Sequence, residues 1–565
     1  MIALLAIWLV AAANPTPALP ADLVLTEGAV YTMDAARSWA SALAVREGRI
    51  VYVGNDIGAR AFVGPKTRTF SLGGRLVLPA FQDAHIHPVS GGVELGQCNV
   101  NDLATKEAIL AKVRACATSE TKAWIVGGGW PLPAFPDANP TKEMLDAVVP
   151  DRPVFLSAAD GHSGWVNSKA LELAGITAAT PDPPNGRIER DAAGTPSGTL
   201  REGAQRLVDK LLPEPTPEEH LDGLRRAITL LNGYGVTAVY EANAGSGPKG
   251  GSVTLATYGE AERRGLLTLR VRVSLGTDAE RGPEQVDDLV RLREQFTSQR
   301  VRPVAAKIFA DGVIEARTAA MLDNYDDRPG QRGEPRLDDE ALRALVARLV
   351  EKDFAVHVHA IGDRAVRMTL DAFESSRQAS LDRGLRHQIA HLQVIAPEEV
   401  PRFRDLGVVA NFEPLWAFAD AYVRDLTWPA LGPARSKRMY PIADLARSGA
   451  VVAFGSDWSV SSPNPLEGIQ VAITRQAIEP KERTEPLLPE QAIHLPTALA
   501  AYTIGAAYAH GLESETGSLE VGKAADLVVL SENLFRLDPH EIAKARVLLT
   551  LLEGQAVHRD AALAF

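Results

Sequence analysis

Eight short apolar segments, each ending in a polar residue or a glycine, alternate with stretches whose apolar residues recur every three or four positions. This alternation is typical of a parallel sheet whose strands are connected by helices. Helical periodicity is clear over Asp339–Glu351 and Ala365–Ser375. Eight such units in about 430 residues predict a TIM (β/α)8 barrel, with a doubly wound open sheet as the alternative. The strand candidates are Leu78–His87, Val236–Glu241, Leu269–Leu275, Val304–Phe309, Phe354–His359, Gln388–His391, Val408–Phe412 and Val451–Ser456.

The two ends of the chain differ from this middle part. Short β-branched or alternating runs, bounded by Gly, Asp and Asn, occupy residues 21–78, and similar runs return over 514–565. We expect these two segments to form one small β-sandwich domain, with the barrel over 79–513. About 88–230 is a large insertion after the first strand, with its own strand candidates. Because insertions after barrel strands build the active-site face, this one is interpreted as a substrate lobe.

Residues 1–20 resemble a secretory signal peptide, since an apolar run from Ile2 to Ala13 leads into a Pro-rich segment. The run lacks the usual preceding Lys or Arg, and a buried first strand is the alternative. A signal peptide predicts a periplasmic or secreted protein, and its absence a cytoplasmic one. The two cysteines, Cys98 and Cys116, would pair in an exported protein or remain two buried thiols, and the sequence leaves both open.

Composition excludes several classes of protein. With 46% apolar and 23% charged residues, the chain is globular rather than disordered. Its 59 Lys and Arg against 71 Asp and Glu give a net charge of −12 without a basic run, which argues against nucleic-acid binding. No apolar run reaches the ~20 residues of a membrane span. The expected partner is a small-molecule substrate, and a homodimer is left open as the assembly.

A His-x-His pair, His85 and His87, ends the first strand candidate. Residues i and i+2 of a strand face the same side, so both imidazoles can reach one metal ion. Chance is the alternative in a chain with 12 histidines, but a second pair, His357 and His359, ends the fifth candidate. Four further candidate ligands lie at or near other strand ends, which open onto one face of a barrel. They are Lys307, His359, His391 and Asp457.

Each of these residues also has an ordinary structural explanation, such as a backbone-bonded His or an N-capping Asp. As an ordered set, however, they resemble the metal-dependent amidohydrolase superfamily. Four stretches are similar to its amidohydrolase 3, or YtcJ-like, subgroup, which includes N-substituted formamide deformylases. They are Asp160–Leu171, Lys307–Gly312, His359–Ala365 and Gly455–Asp457. The resemblance covers nearly all of the chain after residue 20 and also implies the barrel with a β domain built from both ends.

The resemblance implies one or two divalent ions, zinc being expected, and hydrolysis of a non-peptide carbon–nitrogen bond in an amide, N-formyl or N-acyl compound. Lys307 would bridge two ions as an N-carboxylated lysine, because an ammonium has no acceptor and a carbamate has two; a structural lysine is the alternative. Asp457 would be catalytic, accepting the proton of the attacking water and passing it to the leaving nitrogen. The implied ligands are His85, His87 and Asp457 for one ion, His359 and His391 for the second, and Lys307 between them.

Two other functions compete with this one: a related metallohydrolase for an ester, lactone or cyclic amide, and a catalytically inactive metal-binding barrel. Three residues are predicted to contact the substrate. His162 would bind substrate or its oxyanion, or fix a loop; Trp130 would form an apolar wall; Arg317 would meet an anionic group, or form a surface salt bridge. Pro131 stands where relatives often have an acidic residue. His357 is assigned to packing or to support of a ligand.

Overall fold

The computed structural model describes residues 19–101, 103–119, 122–245 and 252–563. The predicted signal peptide lies outside these residues, apart from its last two positions. Within the described ranges, no helix combines the length and the apolar character that crossing a bilayer requires.

Eight parallel strands form the central sheet, and each pairs with its neighbour in chain order. This order confirms the predicted barrel of parallel strands and not the doubly wound sheet, in which strand order reverses. The strands are β1 (Phe81–Ile86), β2 (Val236–Ala244), β3 (Arg270–Gly276), β4 (Val301–Phe309), β5 (Ala355–Ala360), β6 (Gln388–His391), β7 (Val409–Phe412) and β8 (Val452–Phe454).

The barrel closes between β8 and β1 just beyond the end of β8. The backbone N–H groups of Ser456 and Asp457 donate to the carbonyl of His85 at 3.2 and 2.7 Å. Gly455 permits this approach, because a Cβ at that position would lie 2.6 Å from the backbone nitrogen of His85. The residues Gly455-Ser456-Asp457 therefore join the last strand to the first.

The first strand candidate, Leu78–His87, is wrong as a single element. The structure divides it at Ala80 into Leu76–Pro79, which belongs to a sheet built from the chain ends, and β1. Ala80 donates its N–H to the carbonyl of Asp526, outside the barrel. Because apolar, buried residues continue without a break from Leu76 to Phe81, hydrophobicity could not reveal the change of sheet.

Helices connect the barrel strands and cover the sheet. The helix before β2 starts with a capping box between Thr216 and Glu219, followed by Pro217 at its first position, and its apolar residues face the core. The connecting helices are Pro217–Gly233, Val253–Arg263, Val286–Phe296, Asp339–Glu351, Asp363–Ser375, Val400–Leu406, Ile442–Ser448 and Pro465–Thr474. Shorter helices are Pro88–Glu94, Arg377–Asp382, Trp428–Arg435, Leu495–Ala500 and Ala506–His510.

The long segment between β1 and β2 forms its own six-stranded sheet. In spatial order its strands are Gly186–Arg190, Pro196–Glu202, Ser163–Val166, Val154–Ala158, Ile125–Trp130 and Cys98–Asn99. Helices Lys106–Ser119, Lys142–Asp146, Ser168–Ala174 and Arg206–Asp209 accompany it. Cys98 and Cys116 form a disulfide that joins the edge strand to the helix Lys106–Ser119.

Two further sheets contain strands from the ends of the chain. One has the order Arg49–Gly54, Ala42–Arg46, Leu23–Thr26 and Arg68–Ser71. The other has the order Gln555–Arg559, Val547–Leu552, Leu527–Leu530, Leu76–Pro79, Ala29–Tyr31 and Trp39–Ala40. One cluster of buried apolar side chains contains members of both sheets, among them Leu23, Leu43, Val77 and Leu527.

Loss of the disulfide is expected to destabilise the 98–202 sheet. Cys98 and Cys116 are 18 residues apart, and closing a loop of that length removes about 3 kcal/mol of unfolded-state freedom. The variant Cys98→Ala/Cys116→Ala should unfold at lower urea concentration, followed by the fluorescence of Trp130 and Trp165 in this region's core. Reducing agent should shift the wild type and leave the double variant unchanged. Equal midpoints for both proteins would contradict a stabilising disulfide.

Candidate functional site

The six residues predicted as metal ligands line one cavity of about 490 Å³. It lies at the carboxyl ends of the barrel strands, where the loops between strands and helices meet. The six are His85 in β1 and His87 after it, Lys307 in β4, His359 in β5, His391 at the end of β6 and Asp457 after β8.

Three of the six come together closely. Oδ1 of Asp457 lies 3.5 Å from Nε2 of His85 and 3.1 Å from Nε2 of His87. Among the residues that the structure describes, these three form the one group of three or more His, Cys, Asp or Glu residues that could hold a metal ion. Their ligand atoms lie within 4.8 Å of one another. Two imidazole nitrogens and a carboxylate oxygen form a donor set suited to a divalent metal such as zinc.

Backbone geometry holds Asp457 at this point. Its φ is +51°, in the left-handed region that a non-glycine residue adopts at a cost of about 1–3 kcal/mol. The hydrogen bond from its N–H to the carbonyl of His85 compensates, because it fixes the residue against β1. His391, at the end of β6, also has a positive φ, of +78°. Such strain is common where a site imposes a side-chain direction.

His87 and Asp457 form a charge pair. Burial lowers the pKa of His87, but hydrogen bonds with Asp457 and Glu241 outweigh it and raise that pKa to about 9. Burial raises the pKa of Asp457, but the hydrogen bond from His87 and nearby cationic groups hold it below its usual value. Asp457 is therefore an ionised carboxylate. A divalent cation competes with the shared proton for the same atoms.

A buried chain of hydrogen bonds orients His85. Nδ1 of His85 lies 2.8 Å from Nε2 of His357, whose Nδ1 lies 3.0 Å from Oγ of Ser274. If Nδ1 of His85 and Nδ1 of His357 are the donors, Nε2 of His85 presents its lone pair to Asp457 and the cavity. His357 thus contacts a predicted ligand, whereas the sequence analysis leaves both packing and support of a ligand open for it.

Lys307 is 1% exposed, and its Nζ lies 3.3 Å from Nε2 of His85. Within the described part of the chain, no carboxylate lies within the 4.0 Å of a salt bridge to it. Burial lowers the pKa of Lys307 to about 8, against the opposing effect of Asp457 and Glu413. A buried cation without a close anion is costly, which makes this lysine unusual.

His359 and His391 lie beside the triad without joining its ligand atoms. Their ring centroids are 4.5 Å apart, and that of His391 is 4.8 Å from that of His85. Nε2 of His359 lies 3.1 Å from the carbonyl of Gly312 and donates to it, which leaves Nδ1 as its lone-pair nitrogen. Nδ1 of His391 lies 3.0 Å from Oε2 of Glu413. The two rings therefore form a second group of nitrogen donors at the same cavity.

Buried carboxylates that the sequence analysis did not single out support the histidines. Glu413 follows β7 and bonds His391, while Glu241 in β2 lies 3.3 Å from Nδ1 of His87. Burial raises the pKa of Glu413. It also raises the pKa of Asp83 in β1 and that of Asp311 after β4, in each case to about 7. The positions of Glu413 and Asp311 next to strand ends were an available signal. Glu241, the last residue of the second strand candidate, carried the same signal. Nothing in the sequence distinguishes Asp83 from core polar residues.

Asp311 links the ends of two neighbouring strands. Its carboxylate accepts the N–H groups of Ala320 at 2.9 Å, Ile361 at 3.1 Å and Gly362 at 2.9 Å. Oδ1 also lies 3.7 Å from Nε2 of His359. Asp311 thereby ties the loop after β4 to the segment that follows His359.

Of the three predicted substrate contacts, the structure brings only His162 to the cavity. Its Nδ1 lies 3.1 Å from both oxygens of Glu202. Burial lowers the pKa of His162, but the charge and hydrogen bond of Glu202 outweigh burial and raise that pKa to about 8. Arg317 instead pairs with Asp327 and lines a separate cavity of about 380 Å³. Trp130 is 0% exposed in the core of the 98–202 sheet, and its Nε1 donates to the carbonyl of Leu156.

Comparison with known proteins agrees with this arrangement. The amidohydrolase family matches residues 68–558 of the chain. Protein LONG AFTER FAR-RED 3 of Arabidopsis thaliana is 32% identical over 555 residues, covering 96% of this chain and 93% of that protein. The N-substituted formamide deformylase of Arthrobacter pascens is 30% identical over 548 residues, covering 94% and 97%. These matches confirm the resemblance to amidohydrolases.

A solved structure superposes on most of the chain. The crystal structure of an uncharacterized metal-dependent hydrolase from Pyrococcus horikoshii superposes with a TM-score of 0.72 and 25% sequence identity. The superposition covers 92% of this chain and 99% of that one. The likeness therefore extends beyond the barrel to most of the described residues.

Replacing His357 by Gln is expected to weaken divalent metal binding about 10- to 100-fold, because His85 loses the partner that directs its Nε2. Zinc titration with a competing chromophoric chelator measures the affinity, and circular dichroism reports folding. His387→Gln serves as a matched control, since His387 is also buried in this region but bonds Ser380 and the N–H of Val356 instead. Unchanged zinc affinity in folded His357→Gln would show that His85 needs no such support.

Proposed function

The chain belongs to the amidohydrolase family, and from that premise we propose that it is a metal-dependent hydrolase of a non-peptide carbon–nitrogen bond, in an amide, N-formyl or N-acyl substrate. Relatives whose names state an activity include a formamide deformylase and a deaminase, both of which act on carbon–nitrogen bonds. The observation that carries the proposal is the convergence of His85, His87 and Asp457 in a cavity that all six predicted ligands line.

The donor atoms fit a divalent metal, with zinc the expected ion. His85, His87 and Asp457 would hold one ion, and His359 with His391 would hold a second. When bound, such an ion supplies Lewis-acid chemistry, since it acidifies water and polarises a carbonyl group. The protein's own part is to keep these side chains in position through Glu241, Glu413 and His357.

Lys307 is proposed to be N-carboxylated. In that reaction the ammonium first loses a proton. The neutral amine then attacks carbon dioxide, an N–C bond forms as one C=O bond becomes a C–O⁻ single bond, and the nitrogen loses a second proton. A cation thereby becomes an anion with two acceptor oxygens. The modification would relieve the burial of an ammonium that has no close carboxylate. It would also give Lys307 the ability to bridge two ions.

Asp457 is proposed as the catalytic acid–base. Its carboxylate lines the cavity, is 8% exposed and is held ionised beside His87. It can accept a proton from the attacking water and return it to the leaving nitrogen, which departs poorly as an anion. His162 reaches the same cavity from the inserted sheet and is positioned to contact the substrate.

The domain division is proposed as predicted: a β-sandwich from 21–78 and 514–565, a barrel over 79–513 and a substrate lobe over about 88–230. The shared apolar cluster of the two terminal sheets supports the sandwich, and His162 and Glu202 at the cavity support the lobe. The disulfide supports export to the periplasm or the exterior, because such bonds persist in oxidising compartments.

Removing the metal should abolish hydrolysis. After dialysis against a chelator, turnover of N-formyl and N-acyl amines is expected to fall by at least about 100-fold and to return with Zn²⁺. Elemental analysis by mass spectrometry gives the metal content at each step. A panel with esters, lactones and cyclic amides tests the competing substrates. Full activity without metal would contradict the proposal. Turnover of lactones alone would show that the substrate is a lactone and not an amide.

Asp457→Asn should lower kcat about 10²- to 10⁴-fold, because the amide cannot accept the proton of water. The measurement is steady-state turnover normalised to bound metal, since Asp457 is also a proposed ligand. Asp151→Asn removes one exposed carboxylate outside the site and is the matched control. Wild-type turnover by metal-loaded Asp457→Asn would show that another group moves the proton.

A further inference from the structure

A second cavity, of about 250 Å³, opens beside the metal-binding triad. It shares His162, His359, His391 and Asp457 with the larger cavity, so a substrate at the triad can extend into it. Its volume equals about eight water molecules, which limits the occupant to one small organic group. Further walls come from the loops after β4, β7 and β8, from the residues that precede Ile442–Ser448, and from Ala159 and Asp160 of the inserted segment.

Four aromatic side chains form much of this cavity: Trp416, Phe418, Tyr422 and Tyr440. Trp416 stacks on His391 with ring centroids 5.5 Å apart and an angle of 9° between the planes. The aromatic surface therefore begins at a proposed metal ligand and continues away from it. Such walls favour an apolar body and, through their π faces, a cation.

Besides Asp457, three carboxylates line this cavity: Asp160, which lies beside His162, and Glu315 and Asp420, which hydrogen-bond only neutral groups. Glu315 accepts from the side-chain amide of Gln393 at 2.8 Å and from the hydroxyl of Thr427. Asp420 accepts from the backbone N–H of Val423 at 2.8 Å. Within the described ranges, neither forms a salt bridge, and no Lys or Arg lines the cavity. His162, whose pKa is raised to about 8, also lines it, but its ion-pair partner is Glu202. Burial raises the pKa of Asp420 to about 6, so its charged form, which prevails at neutral pH, would be stabilised further by a cation from outside.

An independent feature also points to a ligand. Tyr440 lines this cavity and is 5% exposed, yet its hydroxyl has no hydrogen-bond partner among the described residues. The oxygen is not among the fully buried unpartnered atoms, so it is open to the cavity, and a tyrosine hydroxyl at such a place usually finds a partner. A ligand that offers a donor or an acceptor at this point would supply it.

We propose that this aromatic cavity selects substrates in which an apolar group beside the scissile amide ends in a protonated amine, held by Glu315 and Asp420. That the bound molecule is a substrate rests on the proposed function. The preference of the cavity for a cation does not depend on it. Charge-assisted hydrogen bonds to the two carboxylates and the faces of the four aromatic rings would both favour the ammonium over a neutral group of equal size.

Binding tests the preference without any turnover. Phenethylammonium and 2-phenylethanol have nearly the same shape, and calorimetry at neutral pH gives their affinities for the wild type. The ammonium should bind about 10- to 100-fold more tightly, as expected for hydrogen bonds to charged groups. Glu315→Gln and Asp420→Asn should each reduce that ratio about 10-fold. Glu294→Gln, which removes an exposed carboxylate on the helix Val286–Phe296, should leave it unchanged.

Turnover tests the consequence for the reaction. N-formyl-4-(aminomethyl)benzylamine and N-formyl-4-methylbenzylamine differ only at the far end, and kcat/KM should be at least about 10-fold higher for the ammonium compound. If neither is hydrolysed while the ammonium probe still binds preferentially, the proposed function fails and the cavity assignment stands. The assignment would be overturned if both probes bound the wild type equally, a result that requires no variant to fold. It would also be overturned if the preference for the ammonium survived both substitutions.

Discussion

The contact between the end of β8 and β1 is the constraint on which the site depends. Gly455 lets the two segments approach, and the carbonyl of His85 then accepts the N–H of Asp457. This contact closes the barrel and also brings the carboxylate of Asp457 to the imidazoles of His85 and His87. Fold closure and ligand placement are therefore the same event, which explains a strained, left-handed aspartate at this position.

Buried charge is the second organising feature. Acidic side chains at or near the ends of several strands surround the histidines, and burial raises the pKa of Asp83, Asp311 and Glu413. Such a concentration of carboxylates is costly in an apolar barrel unless hydrogen-bond donors or cations compensate it. Asp311 meets that need with three backbone N–H groups, whereas Glu413 depends on His391.

The segment inserted after β1 gives the cavity its outer wall. Its sheet carries His162 and Glu202 to the barrel mouth, while the disulfide stabilises the opposite edge at Cys98. Arg336, from the loop after β4, donates to Glu202 at 2.7 Å and so links the barrel to the inserted sheet. The loops of the barrel supply the aromatic cavity with its carboxylates. The proposed metal ligands and the proposed substrate contacts thus come from different parts of the chain.

Local pattern was enough to identify the eight strands, most of their ends and the ligand candidates, because a parallel barrel places strand ends on one face whatever the side chains in between. Strand alternation and the His-x-His spacing are properties of neighbouring residues. The split at Ala80, the burial of Trp130 and the roles of Glu413 and Glu241 depend on segments distant in sequence. Arg317 and Asp327 are ten residues apart, but their pairing depends on how the loop after β4 folds. Only tertiary structure decided these, since hydrophobicity and spacing carry no record of which distant surface a residue meets.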